Sequence, residues 1–276
     1  MAASRSSEAA LEAIVRRDRT VVVAALGLLT VVAWLYLLHL GSTMPTHETS
    51  SMPGMGAMSA TTMATMHPWS WVDVGALIVM WAVMMVGMMT PAATPMIVMF
   101  ATVHRGRAQA GHAAVPTAVF VLGYLAIWVA FSVVAALAQS WLHARALLSP
   151  TMAATTPVLA GSLLIAAGVY QWTPLKRACL RACRSPLSFL MSGWREGRLG
   201  AFRMGVSHGG YCLGCCWALM ALLFVAGVMN LAWIAVLAVA VLIEKVVPYG
   251  DLIGRLAGGV LLVAGVVIIA GLGFRS

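Results

Sequence analysis

The sequence predicts an all-α fold, a polytopic bundle of transmembrane helices, and three observations support this prediction. Hydrophobic residues make up 62% of the 276 residues and charged residues only 9%, whereas soluble domains carry about 25% charged residues. Apolar runs close to the roughly 20 residues that cross a hydrocarbon core recur along the chain. Lysine and arginine gather in alternate connections between those runs.

The apolar runs predict about seven spans, and six is the alternative if Ala232–Gly273 is divided differently. The spans are expected at residues 20–40, 74–100, 114–139, 157–174, 209–228, 231–249 and 253–273. The first run is too long for a cleavable signal peptide, and no small-residue cleavage site directly follows it. We therefore expect this run to be a membrane anchor.

The basic residues predict the orientation of the spans. If the N-terminus is cytoplasmic, 15 of the 17 lysines and arginines lie inside, and Arg145 and Arg275 lie outside. Retention of positive charge in cytoplasmic loops is the strongest topological rule for short connections. The pattern predicts a multi-pass protein of the bacterial cytoplasmic (inner) membrane. The net charge of +9 then reflects topology and contact with anionic lipids, so we expect no nucleic-acid partner.

Four parts are expected along the chain. They are a short cytoplasmic segment at 1–19, the first membrane anchor helix at 20–40, an exterior loop at 41–72 and a helix bundle at 73–276. Within the bundle, a basic cytoplasmic loop at 174–206 interleaves arginines with aromatic residues. Such a composition is typical of an amphipathic segment that lies on a membrane surface.

Methionine is concentrated in the exterior loop and the second span, which together hold 13 of the 19 methionines between Met44 and Met99. Thioether sulfur is a soft ligand that prefers Cu(I), although methionine also fills cores as an adaptable apolar residue. The exterior loop has no core to fill, and we expect it to be flexible. The alternative is a linker whose methionines have no function. The candidate copper ligands of the exterior loop are Met52, Met55, Met58, Met66 and His67.

The second span carries its own methionine stripes. On an ideal helix Met85, Met89 and Met96 align along one stripe, and Met84 and Met88 lie in a second. These five residues are candidate metal ligands, and helix packing is the alternative explanation for them.

Two prolines interrupt the same span. Pro91 and Pro95 each remove a backbone donor and are expected to kink the helix. Thr90 and Thr94 directly precede them and are candidates to pair the freed backbone groups. A broken helix at membrane depth marks the substrate site of many transporters. A kink that serves only helix packing is an equally good interpretation of the two prolines.

The fifth span holds the densest set of metal-binding residue types. His208, Cys212 and Cys215 fall within about 60° of each other on a helix, and Cys216 lies one turn from Cys212. Thiolate-rich sets suit Cu(I) or Zn, so we expect a metal site here. Cys212 and Cys215 also form a Cys-x-x-Cys pair, which suits thiol–disulfide exchange.

Glu244 is a further candidate ligand, because ionisable residues inside membranes are usually functional. An interfacial ion pair with Lys245 or Arg255 is the alternative. Cys179 and Cys183 are four residues apart and would share a helix face, but we expect them to be two free thiols.

Three motifs that are far apart in the sequence together form a recognisable pattern. They read Trp81-x-x-Met84-Met85-x-x-Met88-Met89-x-Pro91-Ala92-x-x-Pro95-Met96, Gly210-Tyr211-Cys212-x-Gly214-Cys215-Cys216-Trp217-x-x-Met220 and Glu244-Lys245-x-x-Pro248. Over Trp71–Gly273 the chain resembles an uncharacterised bacterial family of predicted metal-binding integral membrane proteins, a domain of unknown function. The resemblance implies metal binding and names no activity. The candidate ligands that match its motifs are Met84, Met85, Met88, Met89, Met96, Cys212, Cys215 and Cys216.

The sequence favours a membrane protein, not an enzyme, that binds and moves or delivers a soft metal ion, with Cu(I) preferred and Zn as a second choice. A membrane cuproenzyme or a copper chaperone is the expected partner, and oligomer formation is open. The main alternative is a membrane thiol–disulfide redox protein that uses Cys212 and Cys215. A non-catalytic assembly subunit is a further alternative.

Overall fold

The structure of the chain is a computed structural model that describes residues 2–43, 70–107, 114–149 and 152–271. These residues form ten helices and no strand beyond one isolated bridge, which confirms the all-α prediction. The candidate ligands Met52, Met55, Met58, Met66 and His67 lie outside the described residues. The helices are α1 (Ala2–Thr43), α2 (Trp71–Arg107), α3 (Ala114–Ala144), α4 (Pro157–Gln171), α5 (Pro174–Arg184), α6 (Pro186–Gly193), α7 (Gly197–Ala221), α8 (Leu223–Ala226), α9 (Leu231–Val246) and α10 (Gly250–Ile269).

Five helical stretches of the described residues are long and apolar enough to cross a membrane, and a bent pair makes a sixth if it counts as one span. The run expected at 231–249 forms α9, whose 16 residues extend about 24 Å, less than the roughly 30 Å of a hydrocarbon core. By length and composition, five or six of the seven expected spans therefore qualify, and α9 is the one that falls short. The five stretches are Arg19–Ser42, Trp71–Gly106, Pro116–Ala144, Gly197–Ala226 and Gly250–Ile269.

The segment at 174–206 is only partly the surface loop that the sequence predicts. It contains α5, α6 and the first turns of α7. α4 and α5 are bent by 64° at the break between them, where Thr173 caps α5 through its side-chain oxygen. α5 is amphipathic as expected, but its Lys176 and Cys179 are buried. In addition to any contact with a membrane surface, α5 packs against α7.

The two prolines do not break α2, which runs as one helix from Trp71 to Arg107. The expected role of the threonines is also wrong. The Thr94 hydroxyl donates to the carbonyl of Thr90 at 3.0 Å, which is not a carbonyl that either proline leaves without its helical donor. The Thr90 hydroxyl is buried and has no partner among the described residues. Among the residues that the structure describes, a sharp bend lies instead between α4 and α5.

Glycines let α3 and α7 approach backbone to backbone. A Cβ at Gly205 would overlap the carbonyl oxygen of Phe120, and one at Gly209 would lie 3.0 Å from Ile127. Residue numbers rise together along this contact, so α3 and α7 run parallel. The same small-residue principle joins α4 to α10, where Gly168 faces Gly258. Residues 161 and 265 also meet, so α4 and α10 run antiparallel.

Candidate metal centre

The predicted face of α7 is buried inside the bundle. His208 keeps 2% of its surface exposed, and Cys212, Cys215 and Cys216 keep 1% each. All of these cysteines are free thiols. A face that pointed to lipid would be exposed, so the structure places these side chains where other helices can complete a site.

Cys212 lies at the centre of the site and contacts two polar side chains from other helices. The ammonium of Lys245 on α9 donates to its sulfur at 2.8 Å. The hydroxyl of Tyr124 on α3 lies 3.2 Å from the same sulfur and donates to the carbonyl of Met89 at 3.1 Å. Helices α2, α3 and α9 therefore meet α7 around one thiol.

Cys215 and Cys216 turn back along α7 towards Cys212. Each thiol donates to the Cys212 carbonyl at 3.0 Å, the local bond that short polar side chains make inside a helix. The sulfur of Cys216 also lies 4.0 Å from the thioether sulfur of Met89. This contact brings together the methionine stripe of α2 and the cysteines of α7.

A thiol from α5 joins the same place. Cys183 lies near enough to Cys212 and Cys215 to interact with both, and it is only half-buried. Gly214 makes the approach of α5 possible, because a Cβ there would lie 2.7 Å from the sulfur of Cys179. Cys179 and Cys183 are free thiols, as expected, and Cys183 lies beside the cysteines of α7. We call Met89, Cys183, Cys212, Cys215 and Cys216 the sulfur site.

The methionines of α2 point into the core. At most 2% of the surface of any of the five candidates is exposed, and all belong to one continuous hydrophobic cluster with the cysteines of α7. Met89 is the one that the structure brings to a cysteine sulfur. Met85 and Met96 continue the stripe of Met89 along α2, and Met84 and Met88 belong to the second stripe.

His208 lies one turn from Cys212 and packs between aromatic rings. Its ring centroid is 5.6 Å from that of Tyr124, 6.1 Å from that of Phe120 and 5.8 Å from that of Phe189. Its buried Nδ1 has no hydrogen-bond partner among the described residues. His208 thus carries an unused nitrogen beside the site, while its ring contributes packing.

Glu244 belongs to a neighbouring network and not to the sulfur site. Its Oε2 accepts from Lys176 at 2.6 Å, and its Oε1 accepts from Gln171 at 3.1 Å. Lys176 also donates to Gln171. The alternative of an ion pair with Lys245 or Arg255 is therefore wrong, because the partner of Glu244, which is only 3% exposed, is Lys176.

Within the described parts of the chain, no three His, Cys, Asp or Glu side chains converge in the geometry of a metal site. The reason lies in the orientation of the thiols, since Cys215 and Cys216 both point to the Cys212 carbonyl. Rotation about one side-chain bond in each residue would release them. Binding a metal ion here requires that rearrangement.

Sequence reasoning missed three members of this region. Lys245 is adjacent to the candidate ligand Glu244. The sequence could have indicated its role, because a lysine in an apolar helix needs a buried partner. Tyr124 has no such signal, since a tyrosine in an apolar run is ordinary. Cys183 was considered with Cys179 as a pair of metal ligands or free thiols, and only the bend between α4 and α5 shows that it lies beside Cys212.

A family model named PpoB2 and described as a copper chaperone matches residues 78–268. The chain belongs to this family. The matched segment of this copper-chaperone family contains every residue of the sulfur site. It supports a copper-related function for the chain. No curated protein and no solved structure matches the chain.

Proposed function

We propose that this chain is a membrane protein that binds Cu(I) in the sulfur site and moves or delivers it. The observation that carries the proposal is the 4.0 Å contact between Met89 of α2 and Cys216 of α7. Thioether and thiol are the soft ligands that Cu(I) prefers. The two types come from different helices and meet in a buried position that also holds Cys212 and Cys215.

The charges around the site support a monovalent ion. Two thiols that lose their protons to bind one Cu(I) leave a net charge of −1, and a buried charge needs compensation. The ammonium of Lys245, at 2.8 Å from Cys212, supplies one positive charge. Zn(II) with a larger set of thiolates is the second choice for this site.

The methionine stripe gives the ion a way to reach and leave the cysteines. Met85 and Met96 lie on either side of Met89 along α2, and both are buried. Thioethers are neutral, so Cu(I) keeps its own charge and exchanges easily between neighbouring weak sites. The exterior loop, with Met52, Met55 and Met58, is the proposed point of capture. Cys183 on α5 is the proposed point of exit.

The proposed location is the bacterial cytoplasmic (inner) membrane, crossed several times with the N-terminus inside. If successive spans cross the membrane in opposite directions, α3 and α7 should be parallel and α4 and α10 antiparallel. The helix pairs in the structure support this arrangement. The proposed partner is a membrane cuproenzyme or a copper chaperone, and the proposed activity is non-enzymatic.

The experiment is an anaerobic Cu(I) titration of the purified full-length protein in detergent. We expect one tightly held copper in the wild type and none in C212S/C215S/C216S. Met89→Leu should weaken retention, and Met191→Leu, at a methionine that is 61% exposed, is its matched control. Cys183→Ser should slow the release of copper, because Cys183 is the proposed point of exit, and Cys179→Ser is its control.

Equal copper in the wild type and the triple variant would overturn the proposal. A redox protein gives a different pattern, namely a reversible Cys212–Cys215 disulfide and no response to Met89→Leu. Both activities would use the same cysteines, so the response to Met89→Leu separates them and the loss of the cysteines does not.

A further inference from the structure

A cavity of about 230 Å³ lies on the basic end of the bundle, where α5 meets the start of α10. It is separate from the sulfur site. Its lining contains four guanidinium groups and one carboxylate, an excess of three positive charges. The lining residues are Arg177, Leu180, Arg181, Arg184, Asp251 and Arg255.

The hydrogen bonds within the cavity leave that excess uncompensated. Arg255 pairs with Asp251 at 2.9 Å, and Arg184 donates to the backbone carbonyl of Val247 at 2.7 Å. The Nε of Arg177 is shielded from solvent and has no hydrogen-bond partner among the described residues. Guanidinium groups gathered in this way are suited to bidentate recognition of a phosphate.

An apolar groove of about 500 Å³ continues from the cavity along α10. Arg255 lines both the cavity and the groove. The groove then follows α10 between Trp172 and the outer face of the helix, and Arg255 is the only charged residue in its lining. The other lining residues are Leu256, Gly259, Val260, Val263, Ala264 and Val267.

We propose that the cavity and groove together bind one anionic phospholipid, with its phosphate among the arginines and an acyl chain along α10. The charge of the cavity selects an anion, and the adjoining groove selects an anion that carries a hydrocarbon chain. Basic pockets between membrane helices hold anionic headgroups in this way. The inference rests on the membrane location proposed above, but not on copper binding.

The test measures lipid binding to the full-length protein in neutral detergent by native mass spectrometry. Phosphatidylglycerol and phosphatidylcholine with identical acyl chains are compared, and inorganic phosphate is added in a separate arm. The wild type should bind phosphatidylglycerol at least roughly tenfold more tightly than phosphatidylcholine, because charge-assisted bonds to phosphate are the strong ones.

Two variants separate the headgroup from the acyl chain. R177Q/R181Q should lower the affinity for phosphatidylglycerol by roughly tenfold or more, whereas Arg198→Gln, at an exposed arginine of α7, should leave it unchanged. Gly259→Phe is designed to fill the groove, and the first carbon of its side chain meets nothing within 4 Å. It should weaken lipid binding and leave any binding of inorganic phosphate unaffected.

Equal binding of the two lipids, or wild-type affinity in R177Q/R181Q, would overturn the proposal. Displacement of phosphatidylglycerol by phosphate with no effect of Gly259→Phe would also overturn it and would indicate a free-anion site. The melting temperature of each variant shows whether it folds. Copper is counted on the same samples, so failure of the sulfur site is seen separately.

Discussion

Adjacent residues on α9 serve two different networks. Glu244 accepts from Lys176 at 2.6 Å, and Lys245 donates to Cys212 at 2.8 Å. Successive positions on a helix point about 100° apart, so one side chain faces α5 and the other faces α7. Each buried charge thereby gains its own partner, which is the condition for keeping a charge away from water.

Removal of the ammonium from the sulfur site should weaken Cu(I) binding. Lys245→Met keeps an unbranched side chain but leaves the thiolate–copper complex without its compensating charge. A hydrogen bond to a charged group contributes about 1.5–3 kcal/mol, so we expect roughly a tenfold to hundredfold loss of affinity in competition with a Cu(I) chelator. Lys245→Arg retains the charge and should lose less. Equal affinities for all three proteins would show that Lys245 does not act on the metal.

The Lys176–Glu244 pair should show strong coupling between its two residues. Lys176→Met or Glu244→Met alone leaves one uncompensated charge and should destabilise the fold by about 3–5 kcal/mol, while the double substitution should recover much of that loss. Thermal unfolding in detergent measures all three. Asp251→Asn breaks a half-buried pair and should cost less, about 1 kcal/mol. Additive losses at positions 176 and 244 would contradict the pairing.

Individual helices differ in how far the sequence reveals them. The face of α7 was predicted correctly, because His208, Cys212 and Cys215 repeat at the period of the helix itself. The position of Cys183 was not, since it depends on a 64° bend and on the absence of a side chain at Gly214. Helical periodicity is local, whereas contact between α5 and α7 is set by the tertiary fold.

The close contact of α3 and α7 should be sensitive to a single methyl group. Gly205→Ala places a Cβ against the carbonyl of Phe120, while Gly210→Ala on the same helix meets nothing within 4 Å. Overpacking costs about 1–3 kcal/mol, so Gly205→Ala should lower the melting temperature and Gly210→Ala should not. Equal melting temperatures would mean that the two helices do not approach at Gly205.

At the scale of the whole molecule, sequence composition predicts the bundle and the gathering of basic residues in alternate connections. The short α9 and the buried Lys176 do not follow from composition, because both depend on packing within the bundle. The basic segment is in contact with the turn between α9 and α10, where Arg184 donates to Val247. These two connections therefore lie on one side of the molecule.

The orientation predicts which surface residues an impermeant thiol reagent reaches in intact cells. Arg145 and Ser188 are both exposed, and the proposed topology places the first outside and the second inside. Arg145→Cys should be labelled in whole cells, and Ser188→Cys only after the cells are opened. Labelling of the wild type measures the contribution of the native cysteines. The reverse pattern would overturn the orientation.

The central claim is that sulfur atoms from α2 and α7 bind one Cu(I) together. X-ray absorption at the copper edge, on anaerobically loaded full-length protein, tests it most directly. We predict a first shell made of sulfur alone, which loses one sulfur in Met89→Leu and disappears in C212S/C215S/C216S. A shell of nitrogen or oxygen, or the same sulfur shell in all three proteins, would contradict this account.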